Sequence, residues 1–316
     1  MIPIRQHLKR HFGLEQTGIY TDDTIEMYTR EIRQAIEAGE MIALVGPYGA
    51  GKTHLMDRVQ TQMMQTSAPP RFVHVADLTP RNAKLSNVLN AVVADLSSES
   101  PRKDMEFRSR QVARLIFTHG VEAGRAVCIV IEDAHRLHHA SLAALKRLRE
   151  LRFNGRPAPC SIVLIGWPEL AGKIRRMKHI EWRTSLIRLD EREGYLTLSR
   201  REAFLQRVFG DAITPETRSV IAARARVPAH MLSLVREAMQ RAYLAGYRVI
   251  DERTVAPDPI ALKAALGLSF EDIAREAGVG VSTAHDRVHN PRDDEYTRRV
   301  EDAIRRIHQR QTRIAS

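Results

Sequence analysis

The first 200 residues alternate between short apolar runs and longer segments with helical periodicity. Five mostly apolar runs are predicted as buried strands, at 41–45, 71–76, 126–131, 161–165 and, more weakly, 185–189. The amphipathic segments between them predict helices over 23–38, 52–64, 85–96 and 105–120. Strands that alternate with helices predict an α/β fold, with a parallel sheet covered by helices on both faces.

The pattern changes near residue 196 and is helical from there onwards. Three helices, predicted over 200–209, 215–225 and 229–245, would form a small helical lid. A joint with two prolines at 255–260 predicts a linker. We therefore expect a lead-in and helix at 1–40, an α/β core at 41–195, a helical lid at 196–255 and an all-α C-terminal domain at 256–316.

The loop after the first apolar run has the spacing G-x-x-x-x-G-K-[ST] between a predicted strand and a predicted helix. Nine residues form this candidate nucleotide-binding loop: Gly46, Pro47, Tyr48, Gly49, Ala50, Gly51, Lys52, Thr53 and His54. Such a loop wraps backbone N–H groups around phosphates at a helix N-terminus, where the helix dipole favours anions. Lys52 would reach the β- and γ-phosphates, and the Thr53 hydroxyl would bind Mg²⁺. The loop predicts binding of a nucleoside triphosphate; a Gly-rich turn that fits the pattern by chance is the alternative.

The third apolar run ends in two carboxylates, Glu132 and Asp133. In P-loop ATPases, a carboxylate at this point holds the Mg²⁺ shell and the next acid orients the attacking water. We therefore predict Glu132 as a metal ligand and Asp133 as the base, with an acidic turn as the alternative. The usual order is Asp then Glu. Because a displacement of about 1 Å can cost roughly 10²-fold in rate, the inverted order predicts slow hydrolysis.

Three further residues bear on hydrolysis. Trp167 follows the fourth apolar run, where such ATPases usually place Asn, Gln or Thr to sense the γ-phosphate, and an indole N–H can donate one hydrogen bond but accept none. Arg183 is the first candidate for an arginine finger offered to a neighbouring subunit, and Arg176 is the second. A basic surface without catalytic role is the alternative for each arginine.

Charge points to a polyanionic partner. The chain has 49 Lys and Arg against 38 Asp and Glu, a net charge of +11, which fits a nucleic acid. The excess is large between residues 171 and 188, where six bases face one acid. There we predict Lys173, Arg175 and Arg176 as DNA contacts, with a solvated charged helix as an equal alternative.

Composition narrows the cellular setting. The hydrophobic share is 43%, without a run of about 18 apolar residues, so no transmembrane helix is expected. The N-terminus is basic but has no apolar core, which argues against a secretory signal. Cys128 and Cys160 lie in or beside apolar runs and are predicted as core residues of a reduced, cytoplasmic protein.

Residues 269–290 have helix-turn-helix spacing. Ser269 is the predicted N-cap of a first helix, with Asp272 completing a near capping box, and Gly278 supplies the positive φ of the turn. The second helix, predicted to be capped by Ser282, would enter the major groove. Its predicted DNA contacts are Ser282, Thr283, His285 and Arg287. A basic helix at 296–313 follows, and a helical hairpin for protein docking is the alternative for the whole motif.

Four segments together resemble the AAA+ ATPases of DNA transposition, the family of the phage Mu B protein and the TniB, TnsC and ExeA-like proteins. They lie at 46–53, 78–80, 129–135 and 163–170, and the resemblance covers roughly residues 10–250. It implies an AAA+ core that binds ATP and Mg²⁺ and oligomerises as a ring or filament on double-stranded DNA with little sequence preference. It also implies recruitment of a transposase, release by ATP hydrolysis, and a place on the nucleoid of a bacterial or phage system.

Two other functions stay open on the sequence alone. A replication initiator or helicase loader of the origin-recognition type also arranges an AAA+ core, a lid and a C-terminal DNA-binding domain in this order, and it would bind specific sites. A nucleotide-gated transcription regulator would use the same core as a binding switch with negligible turnover, and the inverted acidic pair gives that function some support.

Overall fold

Five parallel strands form the central sheet of residues 20–197. The computed structural model describes residues 4, 6–14, 20–75, 84–190, 194–255, 263, 266–289 and 295–315. The described residues contain seven strands, of which five belong to this sheet: β1 (Met41–Val45), β2 (Arg71–Val75), β3 (Val127–Ile131), β4 (Arg152–Phe153), β5 (Arg156–Pro157), β6 (Ser161–Gly166) and β7 (Thr184–Arg188). The sheet has the order β2-β3-β6-β1-β7, and β4 and β5 form a separate antiparallel pair. The predicted strands are thus confirmed to within a residue or two, whereas the short β4–β5 pair was not predicted.

The carboxyl ends of β1, β3 and β6 lie at the same edge of the sheet. β1 pairs with β6 from Met41↔Ile162 to Val45↔Gly166, and all the strand pairs of this sheet are parallel. Every residue of β1, β3 and β6 is buried, which is why β1 and β3 are continuous apolar runs and β6 is apolar after Ser161. Because β6 lies between β1 and β3, the loops that follow these three strands meet side by side.

Helices flank the sheet in the unit Tyr20–Thr197. They are α2 (Asp23–Glu37), α3 (Lys52–Met63), α4 (Leu85–Leu96), α5 (Met105–Ile116), α6 (His139–Arg149), α7 (Pro168–Arg175) and α8 (Lys178–Glu181). The first helix of the chain, α1 (Gln6–His11), belongs to a second unit, which is described below. The helix predicted over 105–120 ends as an α-helix at Ile116 and continues as a π-helix, Phe117–Glu122. The predicted segment at 78–80 lies outside the described residues.

The second unit comprises Met1–Ile19 and Leu198–Ser316. The helices predicted for the lid are present as α9 (Leu198–Phe209), α10 (Pro215–Arg224) and α11 (Pro228–Leu244). Leu8 and Phe12 of the N-terminal segment share an apolar core with Leu205 and Val235 of the lid. The start of the chain therefore groups with the lid, whereas the predicted boundary kept residues 1–40 together.

Three helices at the C-terminus share a core of their own. They are α12 (Phe270–Ala277), α13 (Val281–His289) and α14 (Glu295–Ala315). Ile273, Ala284 and Val300, one from each helix, are buried in one cluster. The predicted capping box of Ser269 and Asp272 is present. Gly278 ends α12 with φ 64°, a left-handed conformation that favours glycine. In the described part of the chain, no helix is long and apolar enough to cross a membrane.

Candidate functional site

The loop between β1 and α3 has the geometry of a phosphate cradle. Gly49 and Gly51 have φ of 77° and 95°, which side chains with a Cβ rarely adopt. A Cβ on Gly46 would lie 2.9 Å from the Leu189 carbonyl oxygen, so the loop fits closely against the chain after β7. Gly51 caps α3 without a side-chain hydrogen bond, which leaves the first N–H groups of the helix to be satisfied by a ligand or by solvent.

Lys52 lies over this loop. Its ammonium donates to the carbonyl oxygens of Gly46 and Pro47, each at 2.9 Å. Burial lowers the pKa of Lys52, while the negative charges of Glu132 and Asp133 act in the opposite direction. The side chains of Thr53 and His54 are exposed at the first turn of α3. The loop therefore presents one cation, a hydroxyl and glycine-lined backbone on one side, which suits a phosphate chain with Mg²⁺.

The acidic pair follows β3 at the same edge of the sheet. Burial raises the pKa of Glu132, and the charges of Asp133 and Asp57 add to this effect, whereas Lys52 opposes it. Such a carboxylate gains from a nearby cation, so its surroundings fit the predicted role as a ligand of Mg²⁺. Asp133 has φ 49°, a left-handed conformation that Asp tolerates better than most residues. Its side chain is about half exposed at 49%, so water can reach its carboxylate.

Trp167 immediately follows β6, the strand that lies between β1 and β3 in the sheet. Its ring stacks on that of His135 with centroids 4.6 Å apart and planes inclined by 8°. The His135 side chain is only 12% exposed, and its Nδ1 is buried without a hydrogen-bond partner. Burial lowers the pKa of His135, so the imidazole is neutral near pH 7. The sequence marks Trp167 only as a departure from the usual polar residue, and its stack on His135 was not predicted.

The predicted DNA contacts of α7 divide into two groups. The Lys173 ammonium donates to the carbonyl oxygens of His135 and Leu137, the latter at 3.1 Å, so this charge is engaged by the segment after the acidic pair. Arg175 and Arg176 are exposed at the end of the helix, as a DNA contact requires.

The proposed arginine finger lies far from the loop of its own chain. Arg183 immediately precedes β7, whose first residue pairs with the first residue of β1. The loop follows the last residue of β1, and five residues at about 3.3 Å each separate the two ends by roughly 16 Å. Arg183 pairs with Glu150 at 2.8 Å, and both side chains are half exposed. Arg183 is therefore too far away to reach the loop of its own chain, and a role at the nucleotide of another subunit stays a prediction.

Helix α13, the second helix of the predicted helix-turn-helix, exposes fewer of its predicted DNA contacts than expected. It begins at Val281, so Ser282 is the second helical residue and the prediction of Ser282 as its cap was wrong. The Arg287 side chain is only 12% exposed and pairs with Asp286. His285 is exposed, but its ring packs against Phe270 and His289, at centroid distances of 4.8 and 4.5 Å. Ser282 and, partly buried, Thr283 complete the predicted set.

Comparison with known proteins agrees with this architecture. Residues 32–174 match the family model of the AAA domain. The chain has the AAA+ P-loop fold. It is similar to Cdc6p from Pyrobaculum aerophilum, with 14% identity, a TM-score of 0.55 and coverage of 96% of this chain and 84% of that one. No curated protein matches the sequence.

Two structures from Aeropyrum pernix show the same likeness. The ORC2 protein in its ADP form has 15% identity and a TM-score of 0.54, over 93% of this chain and 83% of that one. The ORC1 protein in complex with DNA has 11% identity and a TM-score of 0.53, over 94% and 80%. At these identities the likeness concerns the fold, and residue roles depend on the site itself.

Proposed function

We propose that the protein is an ATPase whose bound nucleotide controls its hold on double-stranded DNA. The glycine-lined loop under Lys52 carries this proposal, because a Cβ at Gly46 would collide with the Leu189 carbonyl oxygen, so the shape of the loop depends on this glycine. Lys52 would hold the terminal phosphates, and Thr53 and Glu132 would hold Mg²⁺, which supplies charge neutralisation when bound. Asp133 would take the proton of the attacking water as its oxygen bonds to the γ-phosphorus and the bond to the bridging oxygen breaks.

Two substitutions test the nucleotide switch. Lys52→Ala should abolish ATP-dependent DNA binding, measured by fluorescence anisotropy of a labelled random duplex with ATP, ADP or no nucleotide. DNA binding that stays equal to the wild type and ATP-dependent would contradict the switch. Asp133→Asn should bind ATP and stay on DNA while phosphate release stops, so continued turnover would assign the base to another residue.

DNA binding is supported by the charge and by the C-terminal helices. The net charge of +11 and the exposed Arg175 and Arg176 would engage backbone phosphates without reading sequence. A chain that lacks residues 258–316 should lose DNA affinity, and an unchanged affinity would make this segment a protein-docking hairpin. The low exposure of Arg287 removes the side chain best suited to read guanine, which favours binding with little sequence preference.

Weak sequence preference fits a target selector for DNA transposition, and we infer this as the leading biological role. In that role the protein would oligomerise on target DNA with ATP, recruit and stimulate a transposase, and leave after hydrolysis. A replication initiator of the origin-recognition type is the second candidate. It is favoured by the likeness to Cdc6p and to ORC1 in complex with DNA, which extends over more than nine-tenths of this chain.

Electron microscopy on random double-stranded DNA separates the two roles. Continuous filaments or stacked rings that form with ATP and not with ADP would support target selection. Discrete particles that need one particular sequence, found by selection from a random duplex pool, would support the initiator. DNA binding with either nucleotide and no measurable turnover would instead support a nucleotide-gated regulator.

A further inference from the structure

We propose that the stacked pair His135–Trp167 positions Asp133 for hydrolysis. Trp167 lies after β6, where such ATPases usually have a polar residue that senses the γ-phosphate. The inference rests on the proposed ATPase function and assigns two positioning residues to the same site. Trp167 follows β6, and His135 lies two residues after Asp133 beyond β3. Because these strands are neighbours in the sheet, the ring stack joins the two loop segments. They lie at the edge of the sheet where β1, β3 and β6 end, which we call the catalytic edge.

The segment that carries Asp133 needs such support. Asp133 adopts φ 49°, a left-handed conformation that is less favourable for a non-glycine residue than the right-handed region. Such a conformation persists only where the surroundings impose it. A short 3₁₀ turn, Ala134–Arg136, begins immediately afterwards, with the Arg136 amide donating to the Asp133 carbonyl oxygen at 2.8 Å.

Three contacts hold this turn in place. The His135 ring is stacked on Trp167 at 4.6 Å, nearly parallel. The Lys173 ammonium bridges the carbonyl oxygens of His135 and Leu137. Gly166 approaches so closely that a Cβ there would lie 3.1 Å from the His135 amide nitrogen. All three attach the turn to β6 and α7, the elements on either side of Trp167.

The His135 side chain also faces the carboxylate. Its Nδ1 is buried, has no hydrogen-bond partner and lies 3.9 Å from Asp133 Oδ1. The other carboxylate oxygen, Asp133 Oδ2, lies 3.5 Å from Arg136 Nη2. A small rotation of the imidazole would bring an Nδ1–H close enough to donate to Asp133 Oδ1, and catalytic hydrogen bonds often tighten only when substrate binds. His135 therefore acts through Asp133 and needs no contact with the nucleotide.

Steady-state kinetics of ATP hydrolysis by the full chain test this role. Replacing His135 by Ala should lower kcat by up to about 10²-fold, since a displacement of about 1 Å has an effect of that size. KM for ATP should stay within about threefold, because the loop under Lys52 is untouched. Trp167→Ala should act in the same way, while Trp167→Phe, which keeps an aromatic face, should retain more activity than Trp167→Ala. An equal kcat for His135→Ala and the wild type would overturn the proposal.

Fluorescence gives an independent readout, because the chain has two tryptophans. Trp182 is 83% exposed, so Trp182→Phe serves as the background and as the control. In that background His135→Ala should red-shift the emission of Trp167, which loses its stacking partner and gains solvent. An unchanged spectrum would show that the rings do not stack in solution and would overturn the proposal.

Stability and basal activity separate the remaining outcomes. If His135→Ala unfolds, His135→Gln decides, and a kcat for it equal to the wild type would overturn the proposal. A loss confined to KM would do the same, since it would place His135 in substrate binding. A wild-type chain without turnover would refute the ATPase function itself, whereas an active wild type with an equally active His135→Ala variant would refute this inference alone.

Discussion

Gly46→Ala tests the phosphate cradle with one methyl group. The added Cβ would lie 2.9 Å from the Leu189 carbonyl oxygen and 3.0 Å from the Leu189 Cβ, against an ordinary contact of at least 3.4 Å. The loop or the chain after β7 must therefore move by about half an ångström. Neither side yields easily, because the Leu189 amide donates to Val45 at 2.7 Å and the Gly46 amide to Gly166 at 3.2 Å.

The shift sets the size of the effect. If a displacement of about 1 Å costs roughly 10²-fold, half of it should weaken ATP binding or kcat/KM by roughly tenfold. Overpacking should also lower the free energy of unfolding by about 1–3 kcal/mol. Titration with a fluorescent ATP analogue and thermal unfolding measure the two effects.

Gly172→Ala is the matched control for this change. Gly172 lies inside α7, and a Cβ there would meet nothing within 4 Å. Alanine at that site should leave ATP affinity unchanged and raise stability by about 0.5–1 kcal/mol. If Gly46→Ala binds ATP within twofold of the wild type and keeps its stability, the close fit of the loop is not what forms the nucleotide site.

Two carboxylates should show opposite pH dependence. Burial raises the pKa of Glu132 above its ordinary value of 4.5, so its contribution to stability is present below that pH and is lost as the pH rises. Without Mg²⁺, Glu132→Gln should therefore have a higher melting temperature than the wild type at pH 7, and this difference should close towards pH 4. The same variant should lose ATP turnover. Hydrogen bonds from Arg306 and Arg310 lower the pKa of Glu276, so its contribution is present at pH 7 and lost as the pH falls. Glu276→Gln should have a lower melting temperature than the wild type at pH 7 but not near pH 3. For each carboxylate, a difference in melting temperature that stays constant with pH would contradict the direction given for its pKa.

The sequence predicts the sheet well and the contacts at its catalytic edge poorly. Buried parallel strands such as β1 and β3 are continuous apolar runs, so their positions are visible along the chain. The spacing of Gly46, Gly51 and Lys52 likewise reports the loop directly, since its function depends on backbone geometry that glycine alone permits. The β4–β5 pair has only two residues in each strand, too few for an alternating pattern.

Contacts between elements were missed because they depend on which strands are neighbours. His135 and Trp167 stack only because β3 and β6 lie side by side, an order that no local pattern reports. Side-chain charge is visible in a sequence, but the group that engages it is not. Burial is likewise hidden from the sequence: the place of Arg287 in the second helix of the motif predicted a DNA contact, whereas its side chain is only 12% exposed and pairs with Asp286.

Lys173 and Arg175 separate two roles proposed for α7, contact with DNA and support of the turn after Asp133. The two bases lie two residues apart on one helix, so both alike count towards the basic excess of the sequence. The Lys173 ammonium holds the turn after Asp133, whereas Arg175 is exposed. Lys173→Met should therefore lower kcat for ATP and leave affinity for random duplex DNA unchanged. Arg175→Met should weaken DNA binding, reduce its salt dependence by about one phosphate contact, and spare kcat. If both variants lose DNA affinity equally and hydrolyse ATP normally, α7 is a uniform DNA-binding surface and Lys173 has no role at the catalytic edge.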